Sequence, residues 1–312
     1  MSVEDVHRGT LTLRSWSAEF DQSRDDDPPA HAVVDPNVEI PASLWRPLRP
    51  DTTPERTVLI VDGVQRIDSW ADLSTQSASG SSSTEVVLAS FAAGAVRAGS
   101  DLARVVALEV RRCAFCETQP PLLEGYAWEK LRSVDHSAQD VVNAAMTRLE
   151  VEVASRVASG EELVIIDGPL RRRDHLPGCV GYIKSHRVEY LTDQLGRIVA
   201  ALAPGERTPL FALSTRWDRF AWYARLPLAG TATDPTGSPW LGIVRGEAAA
   251  ALGVVEAVRL ANRACVSIPR FASKPTKDPR APQNLTPLGG LERMLRHRLG
   301  ARDLLLRGVR RG

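Results

Sequence analysis

The sequence contains few cysteines, very few lysines and no long apolar run. Its apolar stretches, such as those at 57–61 and 163–166, are far shorter than the roughly 20 residues needed to cross a bilayer, which excludes a membrane-spanning helix. Four cysteines in 312 residues exclude a disulfide framework. Because no basic region followed by an apolar stretch begins the sequence, we expect no signal peptide, no membrane attachment and a location in the reducing cytoplasm.

Several motifs that bind phosphate or metal are missing as well. The sequence has no GxxxxGK[ST], which excludes an ATP-hydrolysing P-loop, and it has no GxGxxG or GxSxG. Cys113 and Cys116 form a CxxC, but no second CxxC and no His pair stands at zinc spacing. We therefore expect neither a P-loop nucleotide site nor a structural zinc.

Charge is balanced overall but unevenly distributed along the chain. The 39 basic and 38 acidic residues give a net charge of +1, and 43% hydrophobic with 25% charged residues is typical of a soluble globular protein. Residues 263–312 contain twelve Lys or Arg against three Asp or Glu, so this end is strongly basic and the rest of the chain is acidic. Such a basic end is typical of a surface for nucleic acid, of a solvated helix face, or of a docking surface for an acidic partner.

The pattern of apolar residues predicts strands mixed with helices. Apolar, β-branched runs predict strands at 56–63, 103–111, 162–168, 179–184, 209–213, 220–226 and 240–245. The segment 64–70 is predicted as the return strand of a hairpin, and the Ser-rich 74–84 as a mobile loop. Helical spacing predicts helices at 138–157, 190–202, 247–264, 288–299 and 302–310, the first of them capped by Ser137 and Asp140. The mixture predicts an α/β or α+β sheet with helices packed against it.

Carboxylates at the ends of two apolar strands are the main chemical signal. The segments VLIVDG and LVIIDG place Asp62 and Asp167 at the end of a buried strand, where a carboxylate needs a cation or a hydrogen-bond donor. Glu109 lies within a third strand-like run. Three carboxylates on adjacent strands would converge on a divalent ion such as Mg²⁺ or Mn²⁺. Alternatively, each Asp-Gly forms an ordinary turn and Glu109 faces solvent beside Arg111.

Four segments, taken in order, carry a resemblance to a known family. They are VLIVDG at 58–63, LVIIDGPL at 163–170, GYIKSH at 181–186 and DPRAPQNLTPLGGLERMLRHRLG at 278–300. Together they resemble a NurA-type nuclease, a member of the ribonuclease-H-like group. The resemblance implies a ribonuclease-H-like mixed sheet flanked by helices, with a C-terminal helical arm. Residues 1–54 are then an N-terminal extension, and 55–312 are a nuclease domain that includes the basic helices at 288–311.

The resemblance implies a metal-dependent nuclease that hydrolyses phosphodiester bonds at DNA ends. Carried over residue by residue, the metal ligands are Asp62, Glu109 and Asp167, with Glu292 or His297 as a further one. Two Mn²⁺ or Mg²⁺ ions about 4 Å apart would activate a water and stabilise the leaving oxygen, with Asp62 as the bridging ligand. Lys184 matches the basic position of the family and would stabilise charge on the phosphate.

The resemblance also implies DNA and protein partners. The basic C-terminal segment would bind the DNA backbone through Arg280, Asn284, Arg293 and Arg296. Nucleases of this type usually act as dimers beside a hexameric HerA-type ATPase that translocates DNA, in end processing, repair or defence. We therefore expect a homodimer that works with such a ring ATPase.

Two other functions stay open from the residues alone. A phosphotransferase of the actin or sugar-kinase type also places Asp-Gly segments around a nucleotide, but its Gly-rich phosphate loops are missing here. A nuclease-like subunit would instead bind DNA or a ring ATPase without cutting. His175 and His186 flank the second Asp-Gly segment and are either site residues or surface histidines.

Overall fold

The computed structural model of the chain describes residues 9–13, 32–77, 80–120, 122–131, 137–186, 188–215, 217–227, 240–274 and 281–309. Arg280, proposed above to contact DNA, lies outside these residues, as do Arg310 and Arg311 of the basic C-terminal segment.

The described part of the chain is a mixed α/β structure built on one large sheet. Its strands are β1 (Gly9–Leu13), β2 (Val33–Asp35), β3 (Thr57–Ser77), β4 (Gly80–Gly99), β5 (Ala103–Cys116), β6 (Ala127–Lys130), β7 (Val164–Asp167), β8 (Cys179–Ile183), β9 (Phe211–Ser214), β10 (Asp218–Arg225) and β11 (Ile243–Ala249). Their order is β2-β9-β10-β11-β8-β7-β3-β4-β5-β6, and β1 pairs with β3. Of these pairs, β3–β7, β7–β8 and β5–β6 are parallel.

Helices cover both faces of the sheet. They are α1 (Ala138–Val157), α2 (Asp193–Ala200), α3 (Gly253–Ser267), α4 (Thr286–Leu299) and α5 (Arg302–Val309). Successive residues of a strand point to opposite faces, so Ile60 packs with α3 and α4 while Leu59 packs with α1. We call these the α4 face and the α1 face. Among the described residues, no helix has the length and apolar content to span a membrane.

The first Asp-Gly segment is not a turn, and this corrects the predicted hairpin at 64–70. Strand β3 continues through Asp62 and Gly63 to Ser77 and pairs with β4 along its length. A Cβ on Gly63 would lie 2.6 Å from the Glu150 Oε1 atom on α1, so the glycine allows the helix to approach the strand. The predicted loop at 74–84 is also wrong, because its described residues extend the two strands of this long hairpin.

Other predicted elements are confirmed within a few residues. The helix at 138–157 is present with its capping box: the Ser137 side chain accepts a hydrogen bond from the Asp140 backbone N–H, and the Asp140 carboxylate accepts one from Ser137. The helix predicted from 247 begins instead at Gly253, because residues 247–249 belong to strand β11. Both C-terminal helices form, as α4 and α5.

The segment predicted as an N-terminal extension contributes to the sheet. Strand β2 pairs with β9, and β1 pairs with the distal half of β3. Glu39 accepts hydrogen bonds from both terminal nitrogens of the buried Arg207, at 2.9 and 2.8 Å. The division of the chain at residue 54 stays a prediction.

Candidate active site

Strand register places the two Asp-Gly carboxylates next to each other. Strands β3 and β7 are parallel, and their last paired residues are Val61 and Ile166. Asp62 and Asp167 are the next residue on each strand, so their side chains leave the sheet side by side on the α4 face. Strand β7 ends at Asp167, whereas β3 continues. The two carboxylates therefore lie where the parallel pairing between β3 and β7 ends.

Lys184 completes this group from the next strand. Asp167 pairs with Tyr182 on β8, and Lys184, two residues further along the chain, returns to the same face. The Lys184 Nζ atom donates to the Asp167 Oδ2 atom at 2.7 Å and to the Asn284 Oδ1 atom at 3.3 Å. The Asp167 and Lys184 side chains are 19% and 21% exposed, so both remain accessible to a ligand.

Asn284 accepts a hydrogen bond from Lys184 and is buried. This corrects the prediction that Asn284 contacts DNA. Only 2% of Asn284 is exposed. Its segment is fixed on both sides, because the Tyr182 hydroxyl donates to the Gln283 carbonyl and the Ser273 N–H donates to the Asn284 carbonyl at 2.9 Å. The amide oxygen of Asn284 therefore orients the ammonium group instead of a phosphate.

Asp62 lies near three other carboxylates. It is 8% exposed, and burial, followed by the charges of Asp167, Glu150 and Glu292, raises its pKa well above the ordinary range, against an opposing effect of Lys184. One Asp62 carboxylate oxygen accepts the Gly63 N–H at 2.8 Å. Three carboxylates therefore raise the Asp62 pKa, and Lys184 opposes them.

Glu150 and Arg173 form a buried ion pair near Asp62 that the sequence did not indicate. Glu150 is a buried residue of α1, and Arg173 lies in the segment that follows β7. The Arg173 guanidinium donates to the Glu150 carboxylate through Nε at 2.7 Å and to the Pro169 carbonyl at 2.8 Å. The one available signal was an acidic residue on the apolar stripe of α1.

Helix α4 brings Glu292 near Asp62, but the other residues of this helix that were predicted to bind metal or DNA lie at the surface. Gly94 is the β4 partner of Asp62, and Leu291 packs against it, since a Cβ there would meet the Leu291 side chain at 2.8 Å. Glu292 follows Leu291 and is among the charges that raise the Asp62 pKa. It also accepts hydrogen bonds from Arg296 at 3.1 and 2.9 Å. Arg293 and His297 are exposed, the latter in the last turn of the helix.

Glu109 is not part of this group, which corrects its expected convergence with the aspartates. It pairs with Ala93 on β4, a residue of the α1 face, whereas the β4 partner of Asp62 is Gly94. The Glu109 carboxylate accepts hydrogen bonds from Arg111 at 2.9 Å and from Arg156 of α1. The Arg156 hydrogen bond in particular lowers the Glu109 pKa. The sheet therefore separates Glu109 from Asp62.

The chemistry of the Asp62 and Asp167 side chains suits a divalent cation. Within the described residues, no three His, Cys, Asp or Glu side chains are grouped closely enough to hold a metal ion together. The Asp62 and Asp167 carboxylates are nevertheless the hard oxygen ligands that Mg²⁺ and Mn²⁺ prefer. Mg²⁺ is commonly held by one or two carboxylates and completes its shell with waters and substrate phosphates. A cation would also offset the negative charge that raises the Asp62 pKa.

If the chain cleaves DNA as the sequence predicts, Glu109→Gln should leave the rate of cleavage near that of the wild type. The substitution removes a charge on the α1 face, and its exposed partner Arg156 limits the loss of stability to about 1 kcal/mol or less. The measurement is the rate of cleavage with Mn²⁺, together with the thermal unfolding midpoint. A loss of cleavage by about 100-fold or more, as expected for a ligand, would return Glu109 to the site.

We expect Asn284→Ala to lower kcat by about 10-fold to 100-fold with little change in KM, because Lys184 loses its orienting partner. Asn262→Ala is the matched control. The Asn262 amide oxygen accepts a hydrogen bond from another cation, Arg207, at 2.7 Å, and this pair is not part of the site. Both variants lose a hydrogen bond to a charged group and some stability. Equal losses of kcat in the two variants would mean that Asn284 acts through stability alone.

Comparison with known proteins gives a structural similarity without a sequence relative. No protein-family model matches the chain, and no curated protein matches it. Among solved structures, the chain is similar to the crystal structure of the NurA nuclease from Sulfolobus solfataricus, with a TM-score of 0.49 and 11% sequence identity. The matched region covers 82% of this chain and 84% of that chain.

Proposed function

We propose that this chain is a metal-dependent DNA nuclease that hydrolyses phosphodiester bonds at DNA ends. In this proposal the central strands form a ribonuclease-H-like core, and Asp62, Asp167 and Lys184 are the catalytic residues. The observation that carries the proposal is the parallel register of β3 and β7, which sets Asp62 beside Asp167 with the Lys184 ammonium group 2.7 Å from the Asp167 carboxylate.

Carboxylates grouped this closely need a compensating charge. Burial and like charges both raise the Asp62 pKa, so the ionised form is costly unless a cation is nearby. Asp62 and Asp167 would hold one or two Mn²⁺ or Mg²⁺ ions, with Glu292 as a further oxygen donor within electrostatic reach. When bound, such ions supply Lewis-acid activation of a water and stabilise charge on the leaving oxygen.

Lys184 has a separate role in the proposed reaction. Phosphodiester hydrolysis places extra negative charge on the phosphate as its bonds change, and a preorganised cation there lowers the barrier. Asp167 and Asn284 hold the ammonium group from two sides before the substrate arrives. The lysine therefore does not reorganise during the reaction, which is the condition under which such a charge contributes most.

The two alternative functions predict different behaviour. A phosphotransferase would need a cradle of backbone N–H groups for a nucleotide, whereas Val64 and Gln65 continue strand β3 after the first Asp-Gly. A non-catalytic subunit would have no use for Asp62, a buried carboxylate next to Asp167, because an ionised carboxylate there costs stability unless a cation is nearby. The carboxylate pair therefore favours the nuclease over both.

Partners are proposed on the resemblance of the sequence to NurA-type nucleases. They are DNA, a second copy of this chain and a HerA-type hexameric ATPase. On the DNA side, the surface of α4 supports the proposal, because Arg293 and Arg296 are exposed on the same helix as Glu292. Their guanidinium groups would contact phosphates beside the carboxylates.

Cleavage of labelled linear DNA tests the proposed activity. The purified chain is incubated with single-stranded and double-stranded DNA in Mn²⁺, in Mg²⁺ and in EDTA. The double variant Asp62→Asn with Asp167→Asn, prepared in the same way, controls for contaminating nucleases. We expect wild-type cleavage that requires a divalent cation and is absent in the double variant.

Three other results would contradict the proposal. If the folded wild-type chain shows no metal-dependent cleavage, the proposed nuclease activity is wrong. ATP binding without DNA cleavage would favour the phosphotransferase. DNA binding without cleavage, both in isolation and with a ring ATPase present, would favour the non-catalytic subunit.

A further inference from the structure

A groove lies between α1 and the segment that follows the Asp167 strand. Its volume is about 330 Å³. Helix α1 lines one side with residues spaced three and four apart, which form a stripe along the helix. The polar side chains that line the groove are Thr147, Arg148, Glu152, Arg172 and His175.

The groove offers more hydrogen-bond donors than acceptors. Its acceptor Glu152 is already bound to the Arg111 guanidinium, one of whose nitrogens lies 3.2 Å from the carboxylate. Arg148 is ion-paired with Glu129 outside the groove. Arg172 and His175 are exposed, and no hydrogen bond or ion pair to either side chain is found in the part of the chain that the structure describes. Two donors are thus available to an anionic ligand.

The backbone holds Arg172 in a conformation that few side chains adopt. Its φ of 64° lies in the left-handed region, which is costly for a residue with a Cβ. The neighbouring Arg173 anchors the segment, since its N–H donates to the Leu170 carbonyl at 2.7 Å and its side chain to Glu150. Strain of this kind persists where surrounding contacts fix it, and it is concentrated at binding sites.

Arg173 connects the groove to Glu150, which lies beside Gly63 of strand β3. Arg173 donates to Thr147, which lines the groove, at 3.5 Å, and to Glu150, whose charge raises the Asp62 pKa. Along the chain, Arg172 follows Asp167 by five residues. The groove therefore lies on the α1 face near the end of β7, whereas the Asp62 and Asp167 side chains are on the α4 face.

We propose that this groove binds the phosphate backbone of the DNA on which the proposed nuclease acts. Arg172 and His175 donate to the phosphate oxygens, and Thr147 and Arg148 line the opposite wall on α1. Phosphate is the ligand that suits exposed guanidinium and imidazole donors, and DNA presents it at regular spacing. The assignment rests on the proposed nuclease function.

DNA binding measured without metal tests the groove separately from cleavage. The probe is a fluorescein-labelled oligodeoxynucleotide, single-stranded or duplex, in EDTA, with fluorescence anisotropy recorded over a series of salt concentrations. Arg172→Gly removes the guanidinium and suits the positive φ, so it folds with an equal or higher unfolding midpoint. His175→Ala removes the second donor. Arg259→Ala, a change at an exposed arginine of α3 paired with Glu256, is the matched control.

We expect Arg172→Gly to weaken DNA binding by about tenfold, the equivalent of one charge-assisted hydrogen bond. The slope of log affinity against log salt should also fall by about one phosphate contact. Arg172→Lys should keep most of the affinity, and Arg259→Ala should bind as the wild type does.

Wild-type affinity and an unchanged salt slope in both groove variants would overturn the groove while leaving metal-dependent cleavage, and with it the proposed function, intact. An equal loss in Arg259→Ala would also overturn it, because the effect would then be one of overall charge. If the wild-type chain neither binds nor cuts DNA, both the proposed role of the groove and the proposed nuclease function are wrong.

Discussion

Asp62→Asn is expected to lower metal-dependent DNA cleavage by more than about 100-fold while making the metal-free protein more stable. The activity falls because the amide oxygen is a poor ligand, and even the indirect partners of metal ligands contribute about 10-fold to 100-fold. The stability rises because the substitution removes a charge that burial, Asp167, Glu150 and Glu292 all oppose. Opposite signs for activity and stability are typical of a site strained for function.

The gain in stability should depend on pH in a definite direction. The folded state raises the Asp62 pKa above the unfolded value, so the folded protein binds the extra proton between the two pKa values. The metal-free wild type therefore loses stability as pH rises from about 4, the ordinary Asp pKa, through the raised folded pKa. The asparagine variant lacks this loss. In EDTA, the difference between their unfolding midpoints should be small in acid and should increase with pH.

Asp68→Asn is the matched control, because it makes the same change on the same strand. Asp68 is fully buried but has three donors, Arg66 Nε at 2.6 Å, Tyr126 Oη at 2.9 Å and the Ser90 hydroxyl. Its replacement should lower stability and leave the chemistry of cleavage unchanged. A drop in stability for Asp62→Asn similar to that of Asp68→Asn would mean that Asp62 is a satisfied structural carboxylate and not a strained one.

The proximity of Asp62 to Asp167 could be predicted from the sequence. Two similar apolar segments that end in Asp-Gly indicate two buried strands, and buried strands of this composition are often parallel neighbours. The sequence did not predict that strand β3 continues past Gly63. The glycine there allows Glu150 and Met146 of α1 to approach the strand, and a contact between distant segments has no local signature.

The position of Glu109 could not be read from the sequence, because it depends on register. Strands β4 and β5 change register between Ala95 and Val96, and a shift by one residue moves every side chain to the other face. The pairing of Glu109 with Ala93, and with it the α1 face, follows from that irregularity. Asn284 and Arg173 act through tertiary contacts with Lys184 and Glu150, so no spacing in the sequence could connect them.

Lys184→Ala is expected to lower kcat by about 100-fold to 1000-fold, the loss that follows when one preorganised group that stabilises transition-state charge is removed. Unlike Asp62→Asn, it should also lower stability, by roughly 1–3 kcal/mol. The Asp167 carboxylate is 19% exposed and would lose its charged donor at 2.7 Å. The measurements are single-turnover cleavage with saturating Mn²⁺ and thermal unfolding in EDTA.

Two further variants separate the charge of Lys184 from its contacts. Lys130→Ala removes an exposed lysine of β6 and should change neither quantity. Lys184→Arg keeps the charge but spreads it over a planar group that does not match the geometry fixed by Asp167 and Asn284, so it should restore stability more fully than kcat. If Lys184→Ala lowers stability and leaves kcat near the wild-type value, the lysine serves only to neutralise Asp167, and phosphate charge must be stabilised by another group at this edge of the sheet.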